Sequence, residues 1–258
     1  MAATTSNEIY TGTDDDRQIV RLTGEGSNAQ SPPTITAADG DGKFTPEGRV
    51  RRWPGNTFLC HIDPTSRALE ALKYIQDASR TGPFADYFAF LPPHSFHMTV
   101  FPSVCGDPLG YDGFPEGFER SASLEEITLE YAARIGREAA FEAATITAKE
   151  SVGGFSVHVD GATKVDQERL LEHRRRLQDL TGLKRADFDD YQFHITLAYL
   201  LRWMTREVAK EHMIIVNAAS DEVWSDLQNI KLGPIEFCRF DDMTHFECLT
   251  LLPDEKGQ

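Results

Sequence analysis

The sequence predicts an α+β fold, with two pseudo-symmetric lobes around a central cleft, each an antiparallel sheet with flanking helices. Three observations predict it. Strand-like and helix-like runs are mixed and include hairpins. The order strand, helix, strand, helix occurs twice. The two passes also share residues at a fixed offset: FLCHID at 58–63 matches FSVHVD at 155–160, and FHMTV at 96–100 matches FHITL at 193–197, with 155 − 58 = 193 − 96 = 97. At 258 residues, 40% hydrophobic and 26% charged, the chain has ample material for a buried core.

Taken in order, residues 1–42 are rich in Thr, Ser, Asp, Gly and Asn and lack hydrophobic periodicity, so they are expected to be disordered or loosely draped. Residues 43–252 are expected to form one bilobal domain with repeat units at about 57–100 and 154–197, and 253–258 a tail. The first repeat opens with a strand at Thr57–Asp63. A helix over about Arg67–Ser79 follows, where Leu69, Leu72 and Ile75 make an apolar stripe ended by TGP. The second half of YFAFLPPHSFHMTVFPSV reads as a strand. Residues 103–123, with four Gly and two Pro, read as a long loop, and Leu124–Arg137 as a helix. In the second half, two strands join through Gly153-Gly154, and a helix spans about Val165–Thr181, closed by Gly182. YQFHITLAYLL is a strand, Thr205–Ala219 a helix, and IKLGPIEFCRF with THFECLTLL a terminal hairpin.

Bulk properties narrow the function. The formal net charge is −15, whereas a protein gripping duplex nucleic acid presents a basic surface for phosphate neutralisation. A phosphate-bearing partner is therefore expected to be a nucleotide or a strand end, not duplex DNA. No apolar run reaches the length needed to span a bilayer, and the polar, acidic start shows no signal peptide, so no membrane partner and a cytoplasmic location are expected. The four cysteines are scattered, three in apolar strand-like runs, and read as buried free thiols.

Six identities at one offset (Phe58/Phe155, His61/His158, Asp63/Asp160, Phe96/Phe193, His97/His194, Thr99/Thr196) across two separate elements argue for an internal duplication. Period-two geometry then sorts the faces. His97 and Thr99 share one face of their strand, opposite Phe96, Met98 and Val100. His194 and Thr196 share the corresponding face of theirs. If the polar faces meet between the lobes, two imidazoles and two hydroxyls converge on one cleft.

The duplicated His-hydrophobic-Thr motif in a bilobal α+β chain resembles the 2H (two-histidine) phosphoesterase superfamily. Its members include RNA 2′-5′ ligases, cyclic phosphodiesterases and a 3′ exonuclease that trims RNA. The resemblance spans roughly residues 45–252. The texture of WPGNTFLCHID and LPPHSFHMTVF is closest to a branch of unknown function. It implies that His97 and His194 are the catalytic pair, that Thr99 and Thr196 hold the phosphate, and that no cofactor or metal takes part. The chemistry suits those residues. Opening a cyclic phosphate or a 2′-5′ phosphodiester needs a base on the attacking oxygen and an acid on the leaving one, on opposite sides of phosphorus. Imidazoles supply both forms near neutral pH, and each Thr donates where charge develops.

Further candidates for the cleft are His61 and His158, which alternate onto the faces opposite Phe58 and Phe155. Arg202 is a candidate phosphate contact for which a solvated surface role is favoured. Tyr199 falls by alternation on the core side of its strand, unless the strand bulges. The expected activity is hydrolysis of a 2′,3′- or 1″,2″-cyclic phosphate or a 2′-5′ phosphodiester of a nucleotide or RNA end. The alternatives are 3′→5′ RNA trimming, which requires a basic groove, and a non-catalytic module that binds nucleotides or RNA ends.

Overall fold

The computed structural model describes residues 14–35, 42–111 and 113–254. The expectations for residues 1–42 and for the tail therefore fall partly, at 1–13, 36–41 and 255–258, outside the described residues. Among the described residues there are five α-helices: α1 (Asp14–Thr23), α2 (Arg67–Arg80), α3 (Leu124–Ile135), α4 (Lys164–Thr181) and α5 (Arg206–Val223). The ten strands are β1 (Gly55–His61), β2 (Phe88–Phe90), β3 (His97–Cys105), β4 (Thr145–Val152), β5 (Ser156–Gly161), β6 (His194–Thr196), β7 (Ala198–Leu200), β8 (Ile230–Lys231), β9 (Glu236–Phe240) and β10 (Glu247–Leu251). The α+β class and antiparallel pairing expected from the sequence are what is found.

Local chemistry explains where the helices begin and end. Ser66, Ser123, Thr163 and Thr205 each sit in extended backbone and accept from the N–H three residues on, capping α2, α3, α4 and α5. Glu126 returns the bond to Ser123 and completes a capping box. Gly182 closes α4 at φ +66°, a conformation that side chains with a Cβ disfavour. Helices α2 and α4 start at Arg67 and Lys164, again ninety-seven residues apart (164 − 67 = 97).

Eight strands form one antiparallel sheet in the order β10-β9-β1-β3-β6-β5-β4-β8, and β2 pairs separately with β7. The two halves of the large sheet meet at its centre, where β3 pairs with β6 through Met98 opposite Ile195. On one side of this seam β1 pairs with β3, setting His61 opposite His97. On the other, β5 pairs with β6, setting His158 opposite His194. Met98, Ile195, Phe96 and Phe193 are buried in a core that also takes in Leu72 and Ile75 of α2 and Leu170 and Leu177 of α4. Burial of such side chains contributes about 1.5–3 kcal/mol each, which fixes the register and leaves the other face of β3 and β6 for the histidines and threonines.

Three elements depart from the sequence reading. Residues 14–23 form α1, which packs on α5 with Ile19 and Leu22 buried. Its burial depends on α5, far along the chain. The single strand expected over YQFHITLAYLL is split into β6 and β7, which belong to different sheets. The N–H groups of Leu197 and Ala198 both bond to the Phe155 carbonyl, at 2.8 and 3.0 Å, a bulge that bends the strand away. The expected terminal hairpin is β9–β10 alone, since β8 pairs with β4 at the opposite edge of the sheet. No helix among the described residues is long and apolar enough to cross a membrane.

Candidate active site

The central register decides the geometry. Because Met98 faces Ile195 across an antiparallel pair, stepping one residue each way sets His97 across from Thr196 and Thr99 across from His194 (97 + 196 = 99 + 194 = 98 + 195). Residues directly opposite on neighbouring strands have Cβ atoms about 4.5–5.5 Å apart. The four polar side chains therefore form a compact quartet with the two histidines on a diagonal, and all four line one cavity of about 220 Å³.

Both imidazoles are held in the same way. His97 Nδ1 lies 2.7 Å from the Ser95 carbonyl, and His194 Nδ1 lies 2.8 Å from the Gln192 carbonyl. A carbonyl only accepts, so Nδ1 carries the proton in each ring and Nε2 is the position that gains or loses one. Burial is the main influence on both rings. It pushes His97 down to about 4, helped by the neighbouring His61 and His194 and opposed by the Ser95 carbonyl. It lowers His194 as well, with the Gln192 carbonyl opposing and Lys43 adding to the effect.

A second row of imidazoles backs the first. The His61 and His97 rings are 6.0 Å apart, and the His158 and His194 rings 6.4 Å. Each outer histidine is tied to a carboxylate from the next strand. His61 Nδ1 is 2.9 Å from Glu236 on β9, and His158 Nδ1 is 3.2 Å from Glu150 on β4. The His–His–Glu row is thus present in both halves of the sheet. His158 also lines an adjoining cavity of about 690 Å³, shared with His194, Thr196 and Tyr199 and walled by Arg21, Pro32 and Pro33 from the N-terminal segment.

Tyr199 faces this region and lines both cavities. The bulge at Leu197 and Ala198 inserts one residue into the alternation, which turns Tyr199 to the same side as Thr196 and overrides the core position read from strict alternation. Its ring packs on Phe44 at 5.1 Å, and Lys43 Nζ sits 5.4 Å from the ring centre. Arg202 is elsewhere: it lies exposed over the Tyr87 ring, 3.9 Å from Asp86, and lines neither cavity. The chain turns away at the end of β7, which carries Arg202 off the cleft.

Three cleft residues were not singled out from the sequence. Lys43, Arg185 and Tyr191 line the cavity with the quartet. Tyr191 interacts with Thr99, and the buried Arg174 guanidinium stacks on its ring at 3.9 Å while bonding to the Val100 carbonyl at 2.8 Å. Burial pushes the Tyr191 hydroxyl up to about 12, so it is a neutral donor at physiological pH. Lys43 and Arg185 come from loops with no periodic pattern. Tyr191 had a faint signal, being three residues before His194 as His94 is before His97.

With this geometry in view, comparison with known proteins is informative. Residues 43–149, which hold the first His-x-Thr motif, match the model of the family described as 2H-phosphodiest, domain of unknown function (DUF1868). The resemblance to the two-histidine phosphoesterases holds. It supports phosphoesterase chemistry at the level of class, within a branch of unknown function. The fold is similar to that of the conserved protein of unknown function ATU0111 from Agrobacterium tumefaciens strain C58. The TM-score is 0.83 at 24% identity, covering 93% of this chain and 100% of that one. No curated protein matches the sequence.

Proposed function

We propose that this protein hydrolyses a cyclic phosphate, 2′,3′- or 1″,2″-, or a 2′-5′ phosphodiester of a nucleotide or RNA end, without a metal in the reaction. His97 and His194 serve as the acid–base pair, and Thr99 and Thr196 hold the phosphate. The observation that carries the reading is the diagonal quartet. Both imidazoles line one small cavity, each with its tautomer set by a backbone carbonyl, and a threonine lies across from each.

One imidazole takes the proton from the attacking oxygen while the other delivers one to the leaving oxygen, a division of labour that their diagonal arrangement suits. Each such transfer is worth about 10²–10⁴-fold. The threonine hydroxyls, with Tyr191, donate to the non-bridging oxygens, and Lys43 lies beside them together with Arg185, whose guanidinium is paired with Asp187. Arrival of an anionic phosphate favours the imidazolium form and so offsets the burial that disfavours it in the free protein. The adjoining cavity of about 690 Å³ offers Tyr199, Phe155 and Trp203 as surfaces on which a nucleobase stacks.

The test is turnover, in the presence of EDTA, of 2′,3′-cyclic nucleoside monophosphates, ADP-ribose 1″,2″-cyclic phosphate and 2′-5′ oligoadenylate. Hydrolysis of at least one class is expected. Binding of these ligands with no turnover of any would replace the enzyme reading with that of a binding module.

A further inference from the structure

The two halves of the site differ in what surrounds their outer histidine–glutamate pairs. In the second half Arg21 lies 3.4 Å from Glu150, and Gln18 also bonds to it. The carboxylate beside His158 thus has a cationic neighbour. In the first half the corresponding place is taken by sulfur. Cys238 is two residues beyond Glu236 on β9 and so shares its face, with its Sγ 3.8 Å from Glu236 Oε2. Cys248 on β10 stands directly opposite Cys238, and its thiol interacts with both Glu236 and Cys238. Three adjacent strands, β10, β9 and β1, thereby converge two thiols, one carboxylate and one imidazole on one patch. The ligating atoms of His61, Glu236 and Cys238 all lie within 4.8 Å of one another.

The donors of His61, Glu236 and Cys238 are close enough to converge on one ion, with Cys248 beside them on the next strand. With Zn–N and Zn–O bonds of about 2.0–2.2 Å and Zn–S of about 2.3 Å, the edges of a tetrahedron are about 3.3–3.8 Å. The 3.8 Å from Glu236 to Cys238 is at the top of that range, and the 2.9 Å from His61 Nδ1 to Glu236 is a hydrogen bond, shorter than such an edge, which opens when an ion replaces its proton. The donor set, two thiols with one imidazole and one carboxylate, is of the soft and borderline kind that selects zinc over magnesium or calcium.

We propose that His61 Nδ1, Glu236, Cys238 and Cys248 form a tetrahedral zinc site that pins the β9–β10 hairpin to β1. The site is structural. The metal occupies the side of His61 that bonds to Glu236 and leaves the His97–His194 quartet to the substrate, so this inference stands independently of the proposed activity.

The experiment uses the full untagged chain, reduced and freed of reductant, titrated with Co²⁺ as the probe. One equivalent is expected to bind with a thiolate-to-cobalt charge-transfer band, and Zn²⁺ to displace it. Cys248→Ser, at an exposed edge-strand position that tolerates the change, and Cys238→Ser should both weaken or abolish the band. His61→Ala, which removes a ligand, should weaken binding by more than the roughly tenfold typical of losing an outer-shell partner, while Cys105→Ser should leave it unchanged. The proposal is overturned if the reduced chain takes up no cobalt with sulfur ligation, or if the band persists unaltered in Cys248→Ser. It is equally overturned if Cys238 and Cys248 prove to be joined as a disulfide in the purified protein and bind no metal once reduced.

Discussion

His97 and His194 are held by one and the same device: each ring turns back on its own strand and donates from Nδ1 to the carbonyl two residues upstream, at 2.7 and 2.8 Å. The carbonyls of Ser95 and Gln192 are themselves ninety-seven residues apart (192 − 95 = 97). An imidazole fixed in this way cannot exchange its tautomer without breaking a bond, so the proton-transfer position of each ring is set before substrate arrives.

The threonines are expected to act on the transition state and not on the fold. Thr99→Val and Thr196→Val keep the side-chain shape and remove one donor each. Each should lower kcat by about 10²-fold, with thermal unfolding shifted by no more than a few degrees. Steady-state kinetics beside a melting curve check this.

Burial holds the free-protein imidazoles low, with His97 at about 4 and His194 also lowered. The profile of kcat/KM, which reports the free enzyme, should therefore peak on the acid side of the ordinary histidine value of about 6.5. A bound phosphate favours the imidazolium, so the basic limb of the kcat profile should lie at higher pH than that of kcat/KM. Measuring both profiles on one substrate checks the displacement and its sign.

Stability should also depend on pH through a histidine remote from the cleft. His173 is buried in α4 against Phe141, and burial, aided by Arg176, brings it from 6.5 down to about 4. Between those values the unfolded chain binds the proton and the folded one does not. The contribution is therefore present in full above pH 6.5 and is lost as the pH falls towards 4. For one such group it amounts to about 3 kcal/mol at most. Urea unfolding at a series of pH values should show this slope, and His173→Gln should reduce it.

Arg174 carries a buried charge at 1% exposure, bonded to the Val100 carbonyl and stacked on Tyr191. Arg174→Ala leaves that carbonyl short of a partner and opens a void behind the cleft. A loss of about 3 kcal/mol is expected in denaturant unfolding.

How much of this was legible in the sequence depends on how local the cause is. The faces of β3 and β6 follow from alternation alone, because Phe96, Met98 and Phe193, Ile195 have a core to bury in. The helices announce themselves by Ser and Thr caps. Tyr199 reads as a core residue on strict alternation and reaches the cleft only because one bulge shifts that alternation by a residue, and a bulge has no reliable sequence signature. Glu236 and Glu150 were out of reach for another reason. Glu236 is 175 residues from His61, and which strand lies beside β1 is settled by sheet topology, not by local pattern. Helix α1 was missed because its burial depends on α5, far along the chain. The same holds for Lys43 and Arg185, whose loops gain meaning only when the sheet brings them to the seam.

The central claim is that both histidines take part in proton transfer, and the most direct measurement is kcat for His97→Gln and His194→Gln on a substrate that wild type turns over. Each single variant should lose about 10²–10⁴-fold, with folding intact by circular dichroism, and the double variant should lose little beyond the worse of the two, since the pair acts as a unit. Retention of near wild-type turnover by either folded variant would contradict the two-histidine account.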